Sequence, residues 1–316
     1  MKIMKNKWIF IGISIILIIA SAASLILQGF VLDTDFAGGM AVTYTINADF
    51  NTSDVQAIAN EALGSNQSPS SVQQSGNDVI IKFGFDNALT TDEERSDFAF
   101  EKITAITAGL EAKYGKAIDA TQTEETTEET AEEAPVMLIG QDIVSPSTGK
   151  ELARSALWMS ILACIAILLY VTVRFDFTSG AVAIVALVHD VLILMGIYSI
   201  LRVSIDTNFI AAILTVLGYS INNTIVIMDR IRENTRHARK ETYSQIAEKS
   251  ILQTMNRSIN TSITTLLTIG MVYILGVPSI QVFALPIIIG IVVGFYSSVF
   301  VAGPLWATWK DAGVKK

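Results

Sequence analysis

Apolar residues are concentrated in six long runs that are separated by polar stretches. The runs cover residues 8–28, 155–173, 180–201, 206–228, 259–277 and 282–306. A hydrocarbon core about 30 Å thick needs roughly 20 helical residues to cross it. Each run reaches about that length, so the pattern predicts six membrane-spanning helices. Residues 29–154 separate the first run from the other five.

The first run has some features of a secretory signal peptide. It follows Lys2, Lys5 and Lys7, and it contains small residues at positions 20–24. However, the apolar run continues through positions 25–27, which is longer than the apolar core of a typical signal peptide. We therefore interpret this segment as an uncleaved membrane anchor.

Shorter patterns in the intervening region predict a small α+β domain. Alternation of apolar and polar residues predicts strands, and amphipathic spacing predicts two helices. Ser53, with Gln56, is the predicted cap of the first helix, and Gly115 is the predicted end of the second. Gly76 and Asn77 form a typical hairpin turn. The predicted strands are 39–46, 70–75, 77–84 and 136–144, and the predicted helices are 52–63 and 91–115. This β-α-β-β-α-β order is that of a ferredoxin-like unit.

Composition and charge agree with a membrane protein that carries an acidic domain. Hydrophobic residues make up 51% of the chain and charged residues 16%, against about 25% charged residues in average soluble domains. Residues 31–152 carry 22 acidic and 6 basic side chains, a net charge of −16 that leaves +8 on the remainder. The acidic segment 121–135 predicts a solvated, disordered insertion. An acidic domain argues against a nucleic-acid partner.

The positions of lysine and arginine predict the orientation in the membrane. Basic residues cluster before the first run, between the fourth and fifth runs, and at the C-terminus. With six spans these clusters fall on one side, which the positive-inside rule makes cytoplasmic. The predicted domains are residues 1–30 (tail and first span), 31–152 (extracytoplasmic α+β domain), 153–308 (five-helix membrane body) and 309–316 (tail). Residues 229–250 predict an amphipathic helical loop on the inner membrane surface.

Several polar side chains interrupt the apolar runs. His189 and Asp190 lie in the third run, Asn222 and Asn223 in the fourth, and Arg257 at the start of the fifth. Such groups can join helices by hydrogen bonds or reach the interface, and intramembrane ionisable groups also mark ion pathways. Because polar positions recur on consecutive spans, we favour a polar pathway. Asp206 is close enough to the outer surface to be interfacial.

The sequence carries no pattern that is typical of an enzyme. We find no nucleophile–base pair, no metal-ligand spacing and no phosphate-binding loop, so we expect no catalytic residues, metal or cofactor. The single cysteine, Cys164, excludes an intrachain disulfide. We interpret it as a packing residue.

Four longer motifs resemble those of a known family. The stretch LDTDFAGGM (32–40) is similar to the D-F-x-G-G signature of the SecD and SecF translocase subunits, with Asp35, Phe36, Gly38 and Gly39 as its motif residues. Three later stretches resemble SecF patterns: VRFDFTSGAVAIVALVHDV (173–191), GYSINNTIVIMDRIREN (218–234, with Gly218, Asp229 and Arg230) and NRSINTSITT (256–265). The chain is therefore identified as a member of the SecD/SecF family, within the RND superfamily.

This resemblance implies a function in protein export. SecF proteins pair with SecD beside the SecYEG channel and use the proton motive force to drive late steps of export, after the motor SecA has acted. SecA, a YidC-type insertase and exported preproteins are the further partners implied. Two other interpretations remain: an RND-like exporter of small molecules or ions, and a membrane receptor whose outer domain senses a ligand.

At Asn223 the chain departs from the SecF pattern, which usually has Asp there. In the family that carboxylate and the arginine matching Arg257 are associated with proton transfer, and we expect Arg257 to face Asn223. An amide does not titrate near neutral pH. SecD's own Asp could carry all the protons, His189 or Asp190 could substitute, or Asn223 could be an oxygen ligand for Na⁺. We favour the first explanation.

Overall fold

The computed structural model describes residues 3–64, 69, 71–86, 89, 91–119, 121, 134–174, 176–238 and 240–314. It divides into two compact units. The membrane unit comprises Met1–Val31, Leu157–Gly276 and Ile280–Lys316. The α/β unit comprises Leu32–Ala156 and Val277–Ser279.

The α/β unit contains a five-stranded sheet with helices packed on it. The chain begins with a 3₁₀ turn (Met4–Asn6) and α1 (Lys7–Gln28), followed by β1 (Val31–Leu32) and α2 (Thr34–Ala37). The next elements are β2 (Gly39–Ile46), α3 (Thr52–Leu63), β3 (Ser71–Ser75), β4 (Asp78–Gly84), α4 (Asp92–Tyr114), β5 (Ala117–Asp119) and β6 (Val136–Val144). The predicted elements are therefore present in the predicted order.

The strand order in this sheet is β3-β4-β2-β6-β5. The first four strands are antiparallel and have the ferredoxin-like arrangement that the sequence predicts. β5 is an additional edge strand that pairs parallel to β6 and was not predicted, because three residues are too few to show a period. In β2, alternate side chains from Met40 to Ile46 are fully buried, and they pack with apolar residues of α3 and α4.

Capping residues set where the helices of this unit begin. Thr91 and Glu94 form a capping box at the start of α4, and Gly115 ends that helix as predicted. For α3 the predicted cap was wrong. Asn51, not Ser53, is the N-cap, and its side chain accepts a hydrogen bond from the backbone N–H of Ser53 at 3.1 Å. Most of the acidic segment at 121–135 lies outside the described residues.

Six helical stretches in the described residues are long and apolar enough to cross a membrane, as predicted. After α1 they are formed by α5 (Pro146–Arg174), α6 (Phe177–Leu201), α7 (Thr207–His237), α8 (Tyr243–Leu275) and a last stretch in three parts. That stretch consists of α9 (Pro278–Tyr296), a π-helical segment (Ser297–Ala302) and α10 (Gly303–Val314). A short strand, β7 (Ser204–Ile205), lies between α6 and α7.

The segment 229–250 does not form the separate surface helix that we predicted. Its first part continues α7 to His237, and α8 begins at Tyr243 behind a capping box formed by Thr242 and Gln245. The apolar side of these extensions is buried between the two helices, with Ile231, Ile246 and Ala247 at most 2% exposed. The amphipathic pattern thus reports helix–helix packing, which produces the same period as membrane-surface binding.

Small residues allow close helix approach inside the membrane unit. A side chain at Gly290 would meet Val216 of α7, and one at Gly294 would meet Ser220 at 3.0 Å. The G-x-x-x-G pattern at 290–294 is therefore a helix-packing face. Gly196 of α6 packs in the same way against Ser21 of α1.

Candidate functional site: a buried polar cluster in the membrane unit

Asp190 is the centre of a polar cluster between α6, α7 and the π-helical segment. Its side chain is fully buried. Oδ1 is 2.9 Å from Nδ1 of His189, and Oδ2 accepts hydrogen bonds from the hydroxyls of Ser220 and, at 2.9 Å, Ser297. Three neighbouring polar groups therefore surround one carboxylate at membrane depth. Their hydrogen bonds offset part of the cost of removing that charge from water.

His189 has one ring nitrogen that is bonded and one that is not. The side chain is 3% exposed, and Nδ1 lies against Asp190. The ring stacks on Tyr296 with centroids 6.2 Å apart. The Tyr296 hydroxyl points to α1, where it donates to the carbonyl of Phe10 at 2.8 Å. Nε2 has no hydrogen-bond partner among the described residues, although it is buried.

The π-helical segment places two consecutive serines in the cluster. Ser297 donates to Asp190, while Ser298 shares a 2.9 Å hydrogen bond with Thr224 of α7. Both serines are fully buried. A π turn widens the helix and loosens its hydrogen-bond ladder, and such turns are frequent at functional sites. The local geometry therefore directs hydroxyls of this span toward α6 and α7.

The net charge of the cluster is set by the protonation of His189 and Asp190, because no lysine or arginine side chain of the described residues contacts them. Within the described residues, Asp190 forms its single ion pair with His189, and no lysine or arginine reaches it. A carboxylate beside a neutral imidazole leaves one uncompensated negative charge in a low-dielectric setting. One added proton makes the pair electrically neutral, whichever of the two residues holds it.

Asn223 and Arg257 are not brought together, which corrects the expected pairing. Asn223 is 3% exposed, and its side-chain nitrogen has no hydrogen-bond partner among the described residues. Arg257 is exposed on α8 and lines an open groove with Asn222. No hydrogen bond or ion pair joins its guanidinium to another side chain in the described part of the chain. The two asparagines are adjacent in sequence, so they point to different sides of α7.

The other motif residues of α7 lie in the same groove as Arg257. Asp229 and Arg230 line it, with Glu233 and Gln253. Arg230 donates to Glu233 at 2.6 Å and to Gln253 at 2.8 Å. The groove is thus a polar surface lined by residues of both α7 and α8. Gly218 lies on an exposed part of α7, and nothing lies within 4 Å of the position of a Cβ there.

The D-F-x-G-G motif forms a tightly packed corner of the α/β unit. Asp35 and Phe36 lie in α2, whose end at Gly38 has φ +82°. A Cβ on Gly38 would lie 2.8 Å from the backbone of Pro146, and one on Gly39 would lie 2.5 Å from the carbonyl of Phe83. Glycine is required at these two positions because the backbones approach so closely. Among these motif residues we find no group that points to ion transfer.

The structure changes the interpretation of Asp206 and adds site residues that the sequence analysis missed. Asp206 is a buried helix cap, since its Oδ1 accepts from the N–H of Phe209 at 2.9 Å. Ser220, Tyr296 and Ser297 were not recognised as site residues. The signal was present in the sequence, as a Tyr-Ser-Ser triplet (296–298) inside an otherwise apolar span. In the described residues no group of three or more His, Cys, Asp or Glu is placed to hold a metal ion.

Comparison with known proteins identifies the family. Residues 122–312 match the family model described as "Protein export membrane protein SecD/SecF, C-terminal". The chain is 34% identical over 313 residues to the protein translocase subunit SecF of Sebaldella termitidis, covering 96% of this chain and 90% of that relative. The chain belongs to the SecF family. It is also 32% identical to SecF of Haemophilus influenzae, covering 83% of that protein.

A solved structure shares the same fold. The crystal structure of SecDF, described as a translocon-associated membrane protein, from Thermus thermophilus matches with a TM-score of 0.75 and 31% identity. The match covers 98% of this chain and 39% of the SecDF chain. All residues of the buried cluster on α6, α7 and the π-helical segment lie within the region that matches the family model.

Proposed function

We propose that the chain is a SecF-type subunit of a protein translocase in the cytoplasmic membrane. In this proposal it drives late steps of preprotein export through a SecYEG channel, after SecA has acted. The observation that carries the proposal is the match to a SecF protein over 96% of the chain at 34% identity. A family relationship of this extent covers both units, so the proposal concerns the whole chain.

A SecD-type protein is the first partner that we propose. Among the relatives is the protein translocase subunit SecDF of Bacillus subtilis, which is 35% identical to this chain over 246 residues. The match covers 75% of this chain and 33% of that SecDF protein. A relative whose name joins the two subunits supports their association here. SecYEG, SecA, exported preproteins and a YidC-type insertase are further proposed partners.

The energy source that we propose is an ion gradient, with protons as the ion. Ionisable groups at bilayer depth are costly and are retained mainly in ion pathways. His189 and Asp190 are such groups, and they are buried between spans rather than directed to the interface. We also propose that both termini are cytoplasmic and that residues 31–152 lie outside; the basic clusters support this orientation through the positive-inside rule.

Reconstitution tests this function directly. Vesicles would contain SecYEG and a SecD protein, with and without this chain, and SecA would start export of a preprotein until ATP is removed. With an imposed proton gradient, we expect export of the stalled preprotein to continue only when this chain is present. A response to a Na⁺ gradient alone would contradict proton coupling. Equal export with and without the chain would contradict the proposed function.

A further inference from the structure

We propose that the proton-carrying site of this chain is the His189–Asp190 pair, and that the hydroxyl of Ser297 transmits its charge state to the π-helical segment. Of the two tests described below for this inference, only the second depends on the proposed function. The first test needs only the purified chain. Asn223 cannot exchange a proton, and Arg257 lines an open groove outside the cluster, so neither of them is the proton-carrying group.

The surroundings of the pair contain few other titratable groups. From α7 the pair contacts Ser220, from the π-helical segment Ser297, and from α9 the ring of Tyr296. Tyr296 is the one other titratable side chain in contact among the described residues, and its hydroxyl is bonded to Phe10 on α1. No lysine or arginine of these elements faces the carboxylate. The charge of the cluster is therefore set by one proton on His189 or Asp190.

Proton uptake and release follow from this charge balance. With one proton bound, the pair has no net charge and is stable in a closed, dry environment. Without the proton, the pair has a net charge of −1, which is stable only when water or an opened structure solvates it. The proton adds to Nε2 of His189, the nitrogen without a partner, while the hydrogen on Nδ1 passes to Oδ1 of Asp190. One N–H bond and one O–H bond form, one N–H bond breaks, and both side chains become neutral; release of the proton is the reverse. Protonation is thus linked to closure of the cluster.

Ser297 can report the charge because it has two acceptors. Its hydroxyl lies 2.9 Å from Oδ2 of Asp190 and 3.2 Å from the carbonyl of Gly294 one turn earlier. A hydroxyl binds an ionised carboxylate more strongly than a neutral one. A proton on Asp190 therefore shifts the hydroxyl of Ser297 toward the carbonyl of Gly294 in α9. Ser298 is bonded to Thr224 and Gly294 and does not touch Asp190, so it offers a matched control.

The first test is a direct titration of His189 in the isolated chain. The chain has only two histidines, so His237→Gln leaves a single one. His237 is exposed and outside the cluster. The chain, labelled with ¹⁵N-histidine, would be placed in lipid nanodiscs, and the ring-nitrogen signals followed by NMR between about pH 5 and pH 9. We expect one protonation step.

Substitutions predict the direction in which that step moves. Ser297→Ala removes a donor to the carboxylate, so we expect about tenfold tighter proton binding, a rise of about one pH unit in the midpoint. Asp190→Asn removes the negative charge and lowers proton affinity at least about tenfold. Ser298→Ala should leave the midpoint unchanged. Ring signals that do not change with pH, or equal shifts in the two serine variants, would overturn the proposal.

The second test separates this site from the function of the complex. In the vesicle assay, we expect Asp190→Asn to abolish export driven by the proton gradient, while His237→Gln retains it. Full gradient-driven export by a folded Asp190→Asn chain would overturn the site and leave the proposed function intact. Titration of His189 in a wild-type chain that gives no gradient-driven export would instead overturn the proposed function and support the site.

Discussion

At the scale of single residues, two buried polar side chains of the membrane unit differ in their hydrogen-bond partners. Asp190 and Asn223 are both buried in the membrane unit, at 0% and 3% exposure. Asp190 is surrounded by three hydrogen-bonding partners, whereas the side-chain nitrogen of Asn223 has none in the described residues. A buried polar group is costly when its partners are absent, so the two residues differ in what their removal should do.

Replacing each residue with leucine tests this difference. We expect Asn223→Leu to change the free energy of unfolding by less than about 1 kcal/mol, because no hydrogen bond of the side-chain nitrogen is lost. Asp190→Leu should cost about 2–3 kcal/mol, since His189, Ser220 and Ser297 lose their common acceptor. Unfolding in mixed micelles would give both values. A larger loss for Asn223→Leu than for Asp190→Leu would contradict the assigned contacts.

Tyr44, in the sheet of the α/β unit, should make that unit sensitive to alkali. Burial raises the pKa of Tyr44 to about 12 from its ordinary 10.0, against a smaller lowering by the hydrogen bond with Thr107. A raised pKa favours the neutral phenol in the folded state, so its contribution is complete below pH 10 and is lost as the pH rises toward 12. We expect about 2 kcal/mol of stability to disappear over that interval.

The control for this pH dependence is Tyr44→Phe. It removes the titrating group, and it also removes the 2.8 Å hydrogen bond to Thr107 at every pH. Chemical denaturation of the two proteins at several pH values would give the difference in stability. The advantage of the wild type should shrink between pH 10 and pH 12. A constant difference across that range would show that Tyr44 is not the responsible group.

At the scale of elements, the last span packs closely through glycines and then changes from an α-helix to a π-helix. Gly290 and Gly294 bring α9 against α7, immediately before Ser297 and Ser298 leave the α-helical path. Close packing on one side and a loosened hydrogen-bond ladder on the other allow the serines to reach Asp190 and Thr224. The cluster thus depends on helix contact as much as on its own side chains.

Gly290→Ala tests this contact. The added methyl group would clash with Val216, so we expect the free energy of unfolding to fall by about 1–3 kcal/mol. We also expect the hydrogen bonds of Ser297 with Asp190 and of Ser298 with Thr224 to weaken. Gly270→Ala is the control, because nothing lies within 4 Å of its Cβ position on α8. That substitution should be neutral or should stabilise the helix by up to about 1 kcal/mol. Thermal unfolding in nanodiscs measures both, and equal effects would contradict the packing.

At the scale of the whole molecule, charge is divided between acidic and basic regions. Residues 31–152 have a net charge of −16, and the rest of the chain has +8. Insertion retains loops rich in lysine and arginine on the cytoplasmic side, so the positions of these residues predict the orientation of all six spans together. The turn between α7 and α8 should then be cytoplasmic and the hairpin turn at Gly76 and Asn77 should be outside.

Cysteine labelling checks this orientation. In a Cys164→Ser background, single cysteines would be introduced as Asn77→Cys, in the β3–β4 turn, and Lys240→Cys, in the α7–α8 turn; both positions are exposed. In right-side-out vesicles, a membrane-impermeant maleimide should label Asn77→Cys at once. Lys240→Cys should react only after detergent is added. The reverse labelling pattern would show that the predicted orientation is wrong.

Local sequence patterns determined much of this protein. Run length decided the number of spans, and alternation placed β2 and β6 to the residue, because both signals depend on one segment facing one environment. The ferredoxin-like order of four strands followed from the order of elements. His189 and Asp190 were found as candidates because ionisable residues are rare in apolar runs.

Tertiary structure decided which of the candidates meet. Sequence spacing does not show which face of a helix a neighbouring helix covers. It therefore could not show that the side chain of Asn223 is buried and that of Asn222 is exposed. Packing separated Arg257 from Asn223 and joined Asp190 to Ser297, which is 107 residues later in the chain. It also turned the amphipathic segment 229–250 into extensions of two spans, because burial against a partner helix and burial in a membrane surface require the same period.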